Sequence, residues 1–350
     1  MALYLDTTIP APRVSLAATP RACLKSEAFD VALVILPLAA GLAAAAAVLA
    51  RPSLFIVLLV ADLWFLGYHH VVATYTRLAF TADALRKNRF LAFDLLLLVV
   101  AATLTLAYTA GAWVVATAFL YLQWFHYMRQ GYGLARMYFR ASPEGQVAGS
   151  RDIVTDLLIY LVPIYAIAAR SATMGETFLD LPVRTLVLPN ASITALGFAA
   201  VVAGAMWMLR TAVAFTRGTL DVLYASFVVS HVAIFVVGYL AIENADTGWL
   251  AINIWHNLQY VLVVWMMNTR KYAGVEPMTS FIARISQPGR SARYFASCIA
   301  ISSVIYLLLG RFVLALGGGM ALTVGIYMGI NFHPYIVDAL IWKRRRVAAA

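Results

Sequence analysis

The chain has 350 residues, of which 63 % are hydrophobic and only 12 % charged, with a formal net charge of +10 and a mean hydropathy of +0.83. A soluble globular chain carries about 45–50 % apolar and about 25 % charged residues, so the composition excludes a soluble enzyme. It also excludes a nucleic-acid-binding module, whose basic residues would cluster on a soluble surface. What it predicts is an all-α, polytopic transmembrane helix bundle, multi-pass in a bacterial-type inner membrane, with the lipid bilayer as its first partner. The two cysteines, Cys23 and Cys298, form neither a disulfide framework nor a metal knuckle.

Residues 1–29 carry Pro10, Pro12 and Pro20 with Arg13, Arg21 and Lys25 and no apolar core of signal-peptide length, which predicts a cytoplasmic N-terminal tail. A span needs about 20 mostly apolar residues. Ten stretches qualify, at roughly 30–50, 53–77, 90–110, 113–135, 152–172, 191–213, 219–241, 248–268, 294–316 and 320–342. They make one transmembrane domain over 30–342, followed by a basic tail over 343–350.

The loop charges orient this set. Arg86, Lys87 and Arg89, then Arg136, Arg140 and Arg151, then Arg217, then Arg270, Lys271, Arg284, Arg290 and Arg293, and finally Lys343 to Arg346 all fall on one side. The opposite connections hold Arg51, an uncharged gap at Thr109–Ala112, Arg184 with Glu176 and Asp180, Glu243 with Asp246, and Gly317–Gly319. The positive-inside rule then predicts about ten spans with both termini cytoplasmic.

All six histidines, His69, His70, His126, His231, His256 and His333, fall inside predicted spans, on five different helices. An ionisable residue in the hydrocarbon region is costly and tends to be functional. At 1.5 Å per residue these imidazoles occupy a band roughly 10–15 Å deep. Asp62 and His69 are seven residues apart, which places them on one face of an α-helix, while His70, Thr74 and Arg77 share another. Gln123, His126 and Gln130 share a face, with Tyr127 beside them, and so do Asn253, His256 and Tyr260. Pro334, directly after His333, predicts a kinked or loosened last helix, with Asp338 a turn and a half further on. His231 has the barest surroundings, Ser230 apart.

Neutral imidazole is a common metal ligand, oriented from behind by carboxylates or amides. A donor set of His with Asp, Asn and Gln and no thiolate suits iron, copper or zinc. The expected metal ligands are His69, His70, His126, His231, His256, His333 and Asp338. Asp62, Tyr127 and Tyr260 are the expected catalytic, hydrogen-bonding or redox partners. Arg129, Arg136 and Arg140 share one helical face, which either holds a cofactor or anionic group or snorkels to lipid phosphate.

The expected function is a metal-dependent membrane oxidoreductase, such as a hydroxylase, desaturase or oxidase, acting on a lipid or another apolar or amphipathic small molecule and served by an electron donor. The dense HxxxH and HxxHH boxes of membrane fatty-acid desaturases are absent, as are phosphate-loop, GxSxG, HExxH and Cys-x-x-Cys-His motifs. Two other readings stay open: a proton-coupled transporter with a His and Asp relay, and a haem-binding electron-transfer protein.

Overall fold

The computed structural model describes residues 23–147, 149–274 and 280–347. Most of the expected N-terminal tail, and the last three residues of the basic C-terminal tail, lie outside the described residues. Ten long helices make up the bundle: α1 (Glu27–Ala50), α2 (Leu54–Leu78), α3 (Ala82–Thr109), α4 (Ala112–Ala141), α5 (Ile153–Thr173), α6 (Asn190–Thr216), α7 (Val222–Ala241), α8 (Ala245–Tyr272), α9 (Ser291–Ala315) and α10 (Met320–Val347). Side-chain caps start several of them. Ser26 accepts from the Phe29 N–H, Asp152 from Thr155, Asp221 from Tyr224 and Asn244 from Thr247, each satisfying an N–H that has no carbonyl in the first turn.

Among the described residues, nine of the ten helices are long and apolar enough to cross a membrane, an arrangement consistent with a multi-pass membrane protein. The exception is α4. At 30 residues it is the longest helix, yet Gln123, His126, Gln130 and three arginines dilute its apolar content. It runs unbroken past the expected end of the fourth span. The bundle is apolar on its outer face as well as in its core, and a set of polar side chains is buried within it. Leu97, Phe198, Leu209, Phe215, Leu308 and Leu314 face outward, whereas Asp62, Asn253, Asn257, Gln259 and all six histidines are buried.

Helix α8 is the hub. Of its apolar window 78 % is buried, against 17 % for the peripheral α6, and it packs on α1, α2 and α7. Helices α3 and α10 lie along each other. Gly325 and Gly329 of α10, four residues apart, let the backbones approach so closely that Thr103 Oγ1 donates to the Gly325 carbonyl at 2.7 Å. Pro334 is accommodated inside α10, which stays helical through it. The link between α5 and α6 contains a two-stranded ribbon, Thr177–Phe178 against Leu181–Pro182, turned by Leu179 and Asp180 at positive φ.

Among the described residues, three helices contain a π-helical turn: Leu63–Gly67 in α2, Phe90–Asp94 in α3 and Val237–Ala241 in α7. Such a turn takes up one extra residue and is frequent at functional sites. In α2 it stands directly between Asp62 and the two histidines, and it decides which of them faces the core partners of Asp62.

Candidate metal centre

Helices α2, α4 and α8 bring His70, His126 and His256 together. One nitrogen of each ring lies within 4.8 Å of one nitrogen of each of the others, and all three residues are buried. Some point is then no more than about 2.8 Å from all three nitrogens, against about 2.0–2.1 Å for a metal–imidazole bond, so small side-chain movements close the site on an ion. The ring centroids are 5.9 Å apart for His70 and His126, 5.2 Å for His70 and His256, and 4.9 Å for His126 and His256.

His70 Nε2, His126 Nε2 and His256 Nδ1 are buried with no hydrogen-bond partner among the described residues. That alone does not mark a ligand, because the same holds for His69 Nε2, His231 Nδ1 and His333 Nδ1. What sets the three apart is their convergence.

A hydrogen-bonded chain with a fixed direction stands behind His70. Its Nδ1 faces the Asn257 Oδ1 at 3.1 Å. The Asn257 amide in turn donates to Asp62 Oδ1 at 3.5 Å, and Asn253 donates to Asp62 Oδ2. The side-chain Oδ1 of Asn253 accepts from Tyr127 and from Gln123, and Gln123 Oε1 accepts from the Trp249 indole at 2.9 Å. Because a carboxylate accepts from both asparagines, each amide oxygen is turned away from Asp62. Asn257 Oδ1 therefore accepts a hydrogen bond from His70 Nδ1–H, which leaves Nε2 with a free lone pair. On the other flank Tyr260 stacks on His70 at 3.7 Å, its hydroxyl between Thr74 Oγ1 at 2.7 Å and Asp338 Oδ1 at 3.0 Å. Tyr335 stacks on His126 at 4.3 Å, Tyr127 packs against His256 at 4.5 Å, and Gln130 donates to the His256 carbonyl at 2.9 Å.

The remaining expected ligands lie apart from this cluster. His231 Nε2 donates to the Ile159 carbonyl at 3.1 Å, and its ring fills the space where a side chain on Gly131 would sit, only 2.3 Å away. His333 Nε2 donates to the Leu91 carbonyl at 2.6 Å. His69 points to Phe295 of α9. Asp338 is linked to His70 through Tyr260, whose hydroxyl donates to it while its ring stacks on the imidazole.

The face shared by Asp62 and His69 on paper is lost because the π-helical turn inserts one residue, so the polar network of Asp62 is joined by the eighth residue, His70. Asp62, Tyr127 and Tyr260 all stand around the cluster. Arg129 and Arg136 do not meet: Arg129 donates to the Tyr160 hydroxyl, while Arg136 stands 3.9 Å from Asp156. Sequence reasoning passed over Asn257 and Tyr335. The signal for each was a polar residue one or two positions from an in-span histidine.

No model of a known protein family, no curated protein and no solved structure matches the chain, so these three imidazoles and the network around them are what speak for its chemistry.

Proposed function

We propose that this chain is a multi-pass integral membrane protein that holds one metal ion on His70, His126 and His256, and that it is a metal-dependent oxidoreductase acting on a lipid or another apolar substrate. One observation carries the reading: three buried imidazoles from three helices, with one nitrogen of each inside a 4.8 Å triangle. Three protein ligands leave a coordination position open, which is the pattern of catalytic rather than structural metal sites. Nitrogen donors without thiolate suit iron, copper or zinc, and a redox reaction selects iron or copper among these. Ring separations of 4.9–5.9 Å favour a single ion over the slab of a haem macrocycle. Tyr260, Tyr335 and Tyr127 close the site with aromatic faces, an apolar wall suited to a hydrocarbon substrate. Electrons would come from an external donor, and the charge asymmetry of the loops supports both termini on the cytoplasmic face.

The test is elemental analysis and optical spectroscopy of detergent-purified protein. About one iron or copper per chain is expected in the wild type, with no Soret band. His70→Ala, His126→Ala and His256→Ala should each lose most of it, while His231→Ala should keep it. Wild-type protein free of stoichiometric metal, or loss that ignores which histidine is changed, sinks the reading.

A second reading rests on a different feature. Asp62 and Asp338 each reach His70 through a single residue, Asn257 and Tyr260 respectively. Buried carboxylates so linked to an imidazole are the parts of a proton relay. Metal-free protein that drives uptake into proteoliposomes under a pH gradient would favour this transporter reading instead.

A further inference from the structure

A second cluster lies well away from the histidines, where α4 ends and the chain turns back to α5. Ser142 ends α4, and its hydroxyl oxygen accepts from the Gly145 N–H at 3.3 Å. The loop then folds so tightly onto the helix end that a side chain on Gly145 would meet the Phe139 carbonyl at 1.7 Å. Gly149 turns it again at φ +78°. The result is an open surface pocket of about 470 Å³ lined by Arg136, Arg140, Arg151, Ser150, Gly145 and Gly149 among others.

Three guanidiniums line one pocket, each able to donate charge-assisted hydrogen bonds to an anion. The carboxylates nearby offset this charge only in part: Asp156 makes a long ion pair with Arg136, and Glu144 lies exposed in the same loop. Asp152, the neighbour of Arg151, is occupied by a two-pronged pair with Arg210, by the Thr155 N–H and by the Tyr224 hydroxyl. Asp156 stands 3.9 Å from Arg136 Nη1, too far for a hydrogen bond. Arg136 is largely buried, with a side chain 14 % exposed. Its Nε and Nη1, and the buried Ser150 hydroxyl, have no hydrogen-bond partner among the described residues. The guanidinium thus has donors to spare.

We propose that this pocket binds a phosphate group, gripped by Arg136, Arg140 and Arg151. Arg offers a planar fork that matches phosphate oxygens two at a time. The group would come either from an anionic lipid at the rim of the bundle or from a small phosphorylated solute. The inference does not involve the histidine cluster.

Native mass spectrometry of the full chain, given equal amounts of phosphatidylglycerol and phosphatidylcholine, tests the lipid source. Thermal melting with millimolar inorganic phosphate tests the soluble one. Wild-type protein should retain phosphatidylglycerol selectively or gain a higher melting temperature with phosphate. In the R136Q/R140Q double variant the response should fall by about tenfold, the scale of lost charged hydrogen bonds. Arg151 is exposed, so R151Q is the milder variant if the double change does not fold, and it should weaken the same response. Metal content should be unchanged in all of them, which keeps this result separate from the fate of the histidine site. If the wild type shows neither response, or if folded variants keep it at full strength, the proposal fails.

Discussion

In the metal site proposed above, the behaviour of His70 as a ligand would be set largely by residues that do not touch the ion. Its imidazole is useful only if Nδ1 carries the proton, and that is decided by Asn257 and, behind it, Asp62. Asn257→Leu removes the acceptor, and Asp62→Asn removes the reason for the amide to point as it does. Each is expected to weaken metal binding by about 10–100-fold without removing a ligand. Metal titration of apoprotein against a competing chelator reads the effect directly. Equal affinity in both variants would mean that the chain behind His70 is packing only.

Helix α2 raises the question of register. Asp62 and His70 are eight residues apart and still serve one network because Leu63–Gly67 is a π-helical turn. Deleting the outward-facing Phe65 leaves them seven apart on an unbroken α-helix, still on one face, so metal content should be retained. Inserting one alanine after Phe65 turns His70 away by about 100°, and metal content should fall to that of His70→Ala. Elemental analysis of the two proteins checks both halves. The same scale governs the start of α5. Burial pushes the Asp152 carboxyl up, but the Arg210 guanidinium and the Thr155 N–H outweigh it and hold it below the usual carboxylate range. A depressed carboxylate stabilises the fold above its unfolded pKa, near 4, and that contribution is lost as pH falls through the lower folded value. Arg210→Gln should therefore cost about 1 kcal/mol near neutral pH, the half-exposed guanidinium being screened by solvent. The gap in melting temperature from wild type should close as the pH is taken below about 4.

At the scale of the whole molecule, large apolar side chains cover much of the outside while six histidines and several Asp, Asn and Gln side chains are buried, an arrangement consistent with a hydrocarbon surrounding. On the proposed reading, with α4 counted beside the nine apolar helices, ten crossings would place the Arg86 to Arg89 turn and the end of α10 on the same side. Single cysteines at Lys87 and at Thr185, in a cysteine-free background, should react with a membrane-impermeant thiol reagent from opposite faces of sealed vesicles. Labelling of both from one face would break the ten-crossing arrangement.

Much of this architecture was legible in the sequence, because hydrocarbon is an undiscriminating solvent. Any segment of about 20 apolar residues satisfies it, so the number and approximate places of the long helices follow from composition alone. The weak point was α4, whose hydropathy is lowered by the polar residues it contributes to the bundle interior, Gln123 and His126 among them. The confinement of all six histidines to these segments was equally plain. Which three of them meet was decided only by tertiary structure. The inserted residue in α2 sets its rotation, and the burial of α8 at the centre decides which face of each neighbour it receives. His231 and His333 show the other outcome: their imidazoles, just as buried, are each matched to a backbone carbonyl of a neighbouring helix. Spacing along one helix fixes which residues share a face, but the direction of that face is a property of the packed bundle.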